Sequence, residues 1–147
     1  MKYSCDITID LPRPRVIELF DNPDNLPKWM EGLQSFEHVE GTPGEPGAIS
    51  RLNFKMGKRE FFMTETMISR NLPDEMTGRY DMDGTINHVT VRFEDLGNGK
   101  TKYTSISEFE LKGFMMKIMG FLMPGMFKKQ TMKYLVAFKN WAEGEGA

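Results

Sequence analysis

Five polar residues in the middle of the 147-residue chain could place chemistry inside a protein: Glu65, Arg79, Tyr80, Tyr103 and Glu108. Each lies in a stretch with strand-like alternation, so the phase of its strand turns it either to water or to an interior. Turned inward, such a group would orient a ligand hydroxyl or carboxylate. A buried carboxyl with a raised pKa could also serve as a general acid or base. Turned outward, it is an ordinary solvated side chain.

Acid–base catalysis otherwise calls for a histidine or a carboxylate pair with proton-transfer geometry. His38 and His88 are the only histidines. His88 stands in the phase opposite to Val89 and Val91, and His38 follows Glu37 in a polar stretch. No catalytic residue is assigned on that basis. One cysteine and two unrelated histidines do not make a structural zinc site, so no metal or cofactor is expected. Cys5, on the apolar side of the first strand pattern, reads as a small buried hydrophobe. Asp81 and Asp83 alternate on one strand face and read as solvated.

The elements that must position these residues follow from the patterning. Tyr3, Cys5, Ile7 and Ile9 alternate with polar residues, the period-two signature of a half-buried strand. Pro12 and Pro14 suit a helix start before Val16, Ile17, Leu19 and Phe20, and Asp21-Asn22-Pro23 stops that helix. A second brief helical turn over 25–29 directs Trp29 to the core. From Leu33 to Leu111 six strands are delimited by Gly, Pro, Asn and Asp turns, among them Gly41 to Gly47 and Gly97-Asn98-Gly99. Connections this short make an antiparallel meander, because parallel neighbours need long crossovers. The expected inward sets are Leu52, Phe54 and Met56; Met76, Tyr80 and Met82; and Val89, Val91 and Phe93. The strand from Arg59 to Ile68 has two possible phases. One brings in Phe61, Met63, Met67 and with them Glu65, and the other brings in Phe62 and Ile68.

From Phe127 onward Thr131, Tyr134, Leu135, Phe138, Trp141 and Ala142 share one helical face, with Lys128, Lys129, Lys133, Lys139 and Asn140 opposite. Upstream, Phe114 to Met126 is apolar almost all round. It reads as pocket wall, as a homodimer contact, or as a segment that touches membrane during ligand exchange. Lys117, Gly120 and Pro124 interrupt it, and it is too short to span a bilayer, so stable membrane insertion is not expected. The net charge of −2 gives no general attraction to nucleic acid. One cysteine and an N-terminus without a secretory h-region point to a reducing, cytoplasmic setting. The 13 methionines and 11 phenylalanines suit a wall that adapts to a guest, and equally a Met-rich core.

These elements amount to one α+β domain over 1–147. A curved seven-stranded antiparallel sheet would wrap a long C-terminal helix, with two short helices after the first strand. Side chains alone fill such a space poorly, so a cavity is expected. The stretch Pro12 to Trp29, with its Pro-x-x-Val helix, Asp21-Asn22-Pro23 turn and tryptophan, carries a family resemblance. So do Gly47 after a Gly/Pro turn, the Gly97-Asn98-Gly99-Lys100-Thr101 turn and the terminal helix. The chain resembles the START-like (SRPBCC) superfamily in its polyketide cyclase/dehydrase-like branch. The resemblance implies the helix-grip fold and a pocket for lipids, sterols, polyketides or similar metabolites, and it does not fix one reaction.

The expected function is therefore binding or transport of an apolar small molecule. The candidate ligand-contacting residues are Phe54, Met63, Glu65, Tyr80, Val91, Tyr103, Met115, Met119, Leu122 and Phe138. Two alternatives stand beside it: a polyketide cyclase/aromatase-type enzyme, which needs convergent ionisable groups in the cavity, and a co-chaperone-like module, which needs a collapsed cavity and an exposed apolar patch.

Overall fold

A computed structural model describes residues 1–82, 85–111, 113 and 124–146. Strand β1 (Lys2–Ile9) leads into helix α1 (Arg13–Phe20), a single 3₁₀ turn (Pro23–Asn25) and helix α2 (Leu26–Trp29). Then come β2 (Leu33–Glu40), β3 (Ile49–Met56), β4 (Arg59–Asn71), β5 (Glu75–Met82), β6 (Thr85–Gly97) and β7 (Lys100–Leu111), and helix α3 (Pro124–Gly146) ends the chain.

The seven strands form one antiparallel sheet in the order β1-β7-β6-β5-β4-β3-β2. Strands β2 to β7 are the meander that short turns dictate. β1 pairs instead with β7, Lys2 opposite Glu108 through Ile9 opposite Thr101. The segment carrying α1 and α2 therefore crosses from one edge of the sheet to the other. Pro14 in the first turn of α1 costs no hydrogen bond. Asn22 caps the 3₁₀ turn by accepting from the Asp24 N–H at 3.0 Å, and the Asn25 amide donates to the Leu19 carbonyl at 3.1 Å.

Helix α3 lies on the concave face along β1. The Tyr3 hydroxyl meets Thr131 Oγ1 at 2.7 Å and donates to the Phe127 carbonyl at 3.1 Å. At the other end Lys139 donates to the Thr8 carbonyl, and Glu143 accepts the Asp10 N–H, each at 2.8 Å. Leu135, Phe138 and Ala142 are buried against the sheet, as the helical face at 100° per residue predicts. The core that sets this geometry joins Ile9, Val16, Leu19, Trp29, Phe93, Tyr103 and Phe138. Phe20 packs edge-on to the rings of Phe93, Tyr103 and Phe138.

In β4 the structure selects one of the two open phases. Met67 is buried, Met63 and Glu65 line the interior, and Phe62 and Ile68 are exposed on the convex side. The Arg51 guanidinium lies against the exposed Phe62 ring, 3.9 Å from its centre.

Candidate functional site: a two-lobed cavity

Between sheet and helices lies a cavity of two adjoining lobes, of about 540 and 370 Å³. Phe20, Trp29, Met30, Leu52 and Tyr80 line both and mark their junction. Each lobe is within the range of small-molecule sites. The larger lobe opens under α1 and α2 and includes Asp21, Ser50, Glu65, Met67 and Arg70 in its wall. The smaller one lies under α3, walled by Phe54, Met63, Val91, Tyr103 and Phe109, with the polar side chains of Thr85 and Asn87 among them.

Glu65 and Tyr80 form the polar centre. They face each other directly across β4 and β5. Burial pushes the Glu65 carboxyl above its ordinary range, and hydrogen bonding with the Tyr80 hydroxyl pulls it part of the way back. The Tyr80 phenol is raised much further, by burial first and by the neighbouring Glu65 charge second. Gly78, two residues earlier on the same face of β5, makes room for this ring. A Cβ there would lie 3.3 Å from Tyr80 Cε2. Burial also raises the Tyr103 phenol.

At the rim of the larger lobe, both terminal nitrogens of Arg70 bind the Asp21 carboxylate, Nη1 to Oδ1 at 2.7 Å and Nη2 to Oδ2. The pair fastens the end of α1 to β4. His38 is also on this rim, exposed, its Nε2 2.6 Å from the Gly41 carbonyl. Among the described residues no three His, Cys, Asp or Glu side chains converge as a metal site would require.

Among the described residues, three buried polar side-chain atoms lack a hydrogen-bond partner: Trp29 Nε1, Thr85 Oγ1 and Asn87 Oδ1. All three residues line the cavity, Trp29 both lobes and the other two the smaller one.

Of the residues singled out from sequence, the fold brings Phe54, Met63, Val91 and Tyr103 together in the smaller lobe, Glu65 into the larger, and Tyr80 to the junction. Phe138 lines neither lobe. It is fully buried in the core, its ring packed against those of Phe20, Trp29, Tyr103 and Trp141. Arg79 and Glu108 do not reach the cavity: Arg79 pairs with Asp81 at 2.8 Å, and Glu108 is exposed. Met115, Met119 and Leu122 lie outside the described residues, as does the greater part of the Phe114 to Met126 stretch. Phe20, Trp29 and Met30 are wall residues that strand patterning alone does not supply, because they come from the crossing segment. Asn87 is within its reach, since it shares the inward phase of Val89 and Val91.

A curved antiparallel sheet gripping a C-terminal helix above an internal cavity defines the helix-grip, START-like (SRPBCC) class. The chain belongs to the family described as polyketide cyclase/dehydrase and lipid transport, whose model matches residues 2–137. No curated relative matches the sequence. Among solved structures, Ara h 8.0201 superposes with a TM-score of 0.77 at 14% identity, over 97% of each chain. TTHA0849 from Thermus thermophilus gives 0.76 at 16% over 100% of each. The Zhui aromatase/cyclase from Streptomyces sp. R1128 gives 0.75 at 14%, over 99% of this chain and 93% of its own. At such identities the likeness concerns the fold. No described helix is long and apolar enough to cross a membrane.

Proposed function

We propose that the chain binds an apolar small molecule in the two-lobed cavity, with Glu65 and Tyr80 meeting a polar group of that molecule. The supporting observation is the cavity itself: two joined lobes with mainly apolar walls, sharing Phe20, Trp29, Met30 and Leu52, around the facing carboxyl and phenol of Glu65 and Tyr80. Apolar surface drives uptake at roughly 25 cal/mol per Å² buried, while the pair fixes orientation. The family's description, which includes lipid transport, is consistent with this.

A second reading, acid–base catalysis of the aromatase/cyclase kind, draws on one observation. Burial raises the pKa of Glu65, and a phenol stands opposite it, an arrangement in which a carboxyl can exchange a proton with a bound molecule.

Native mass spectrometry of freshly purified protein, compared with its denatured mass and a solvent extract, separates the readings. A discrete copurified apolar species supports the carrier and supplies its chemical class. An apo mass with no uptake of added lipids or aromatic polyketides overturns it. Met63→Asp puts a charge on the wall of the smaller lobe at a half-buried site and should leave a folded protein that takes up at least tenfold less of the same species. Unchanged uptake would remove that lobe from the site.

A further inference from the structure

The cross-strand register puts Glu65 of β4 opposite Tyr80 of β5, and Tyr80 opposite Asn87 of β6. The three side chains therefore form one polar row across the concave floor, from the larger lobe through the junction into the smaller. Adjacent strands are about 4.8 Å apart, so the ends of the row are separated by roughly 10 Å. The two ends differ in one respect. Asn87 Oδ1 is buried without a hydrogen-bond partner, whereas no Glu65 oxygen is.

Thr85 stands two residues before Asn87 on the same face of β6, only 7% exposed, and its Oγ1 is also without a partner. Buried amide and hydroxyl oxygens are almost always paired, and leaving one unpaired costs about 1–3 kcal/mol. Two such atoms side by side on a cavity wall make a socket for a group that both donates and accepts. A hydroxyl does both.

We propose that Asn87 and Thr85 form a second polar subsite, so that the preferred ligand is an elongated apolar molecule with a hydrogen-bonding group at each end. One end meets Glu65 and Tyr80, and a terminal hydroxyl at the other donates to Asn87 Oδ1 and accepts from Thr85. This rests on the binding reading given above and adds a selectivity to it: molecules with polar groups at both ends are taken over those with one.

The test uses rigid probes in competition with Nile red for the 147-residue chain: biphenyl, its para-hydroxy derivative and its para,para′-dihydroxy derivative. The dihydroxy compound should compete about tenfold more tightly than the monohydroxy one, the increment of one good hydrogen bond. Asn87→Leu, which keeps the branched outline of the side chain and removes its hydrogen-bonding atoms, should erase that increment, bringing the dihydroxy and monohydroxy affinities level. Thr85→Val should reduce it, and it carries the test if the first variant does not fold. Equal affinities of the two phenols in the wild type, or an increment that survives both substitutions, overturn the subsite while cavity binding stands. Failure of the protein to take up Nile red or any biphenyl overturns both.

Discussion

Glu65 and Tyr80 occupy directly opposed positions on β4 and β5, and both side chains point into the concave face. A carboxyl and a phenol thus face each other on a largely apolar wall, where burial disfavours the charged form of each.

This relationship sets a pH signature. The folded-state pKa of Glu65 lies above its ordinary value of 4.5, chiefly through burial. The native state therefore holds that proton more tightly than the unfolded chain does. Its contribution is fully present below about pH 4.5 and is lost as pH rises through the raised pKa. Glu143 runs the other way. Hydrogen bonds from Lys139 and the Asp10 N–H lower its pKa, so its contribution exists above 4.5 and fades as pH falls. In urea titrations between pH 4 and 8, Glu65→Gln should gain stability over the wild type as pH rises, and Glu143→Gln should lose it. A Glu65→Gln curve parallel to the wild type would mean that the carboxyl is solvated.

Gly78 controls the placement of Tyr80. Valine suits a strand backbone, but its side chain would occupy space within 3.3 Å of the Tyr80 ring. Gly78→Val should cost about 1–3 kcal/mol through overpacking. It should also turn the hydroxyl away from Glu65, weakening uptake of hydroxylated probes more than of a bare hydrocarbon. Gly78→Ala needs only a few tenths of an ångström of adjustment and should be far milder. Equal behaviour of Val and Ala variants in denaturation and in Nile red competition would show that the ring has room elsewhere.

The Arg70–Asp21 pair is bidentate but partly exposed, with side-chain exposures of 28% and 30%. Its coupling energy in a double-mutant cycle should be about 1 kcal/mol and should shrink as salt is raised. Because it joins α1 to β4 at the rim of the larger lobe, Arg70→Met should speed ligand release more than it destabilises the fold. Stopped-flow displacement checks this, and unchanged release would make the pair a surface tether only.

Trp29 and Phe138 stack edge to face at 5.1 Å between ring centres, inside the core. Truncating either to alanine should cost about 3–5 kcal/mol in denaturant unfolding. Phe138 differs in position from the wall residues, since it lines neither lobe. A charge there should prevent folding instead of selectively blocking uptake, so a folded, binding-defective Phe138→Asp would contradict its place in the core.

Alternation in β1, β3, β5 and β6, Gly- and Pro-bearing turns, and the 100° stripe of Phe127 to Ala142 are enough to read the meander, the terminal helix and the resemblance to START-like proteins. Local chemistry decides these features: turns set which strands are neighbours, and apolar periodicity sets which face each element buries. Alternation does not choose the inward face of β4, because both phases carry large apolar residues. In the structure Met63, Glu65 and Met67 face the cavity, and Phe62 stays exposed beside the Arg51 guanidinium.

Nor does pattern place Glu65, Tyr80 and Asn87 in one row. That alignment depends on strand register, which includes an irregularity between Met67 and Ser69 that no periodicity reveals. Phe138 shows the converse limit, since an inward helical face does not distinguish a residue packed in the core from one lining a void. The sequence by itself determined which elements form and which faces are apolar. The tertiary structure decided which inward side chains meet each other and which line the cavity, because that depends on how far the sheet curves away from the helix.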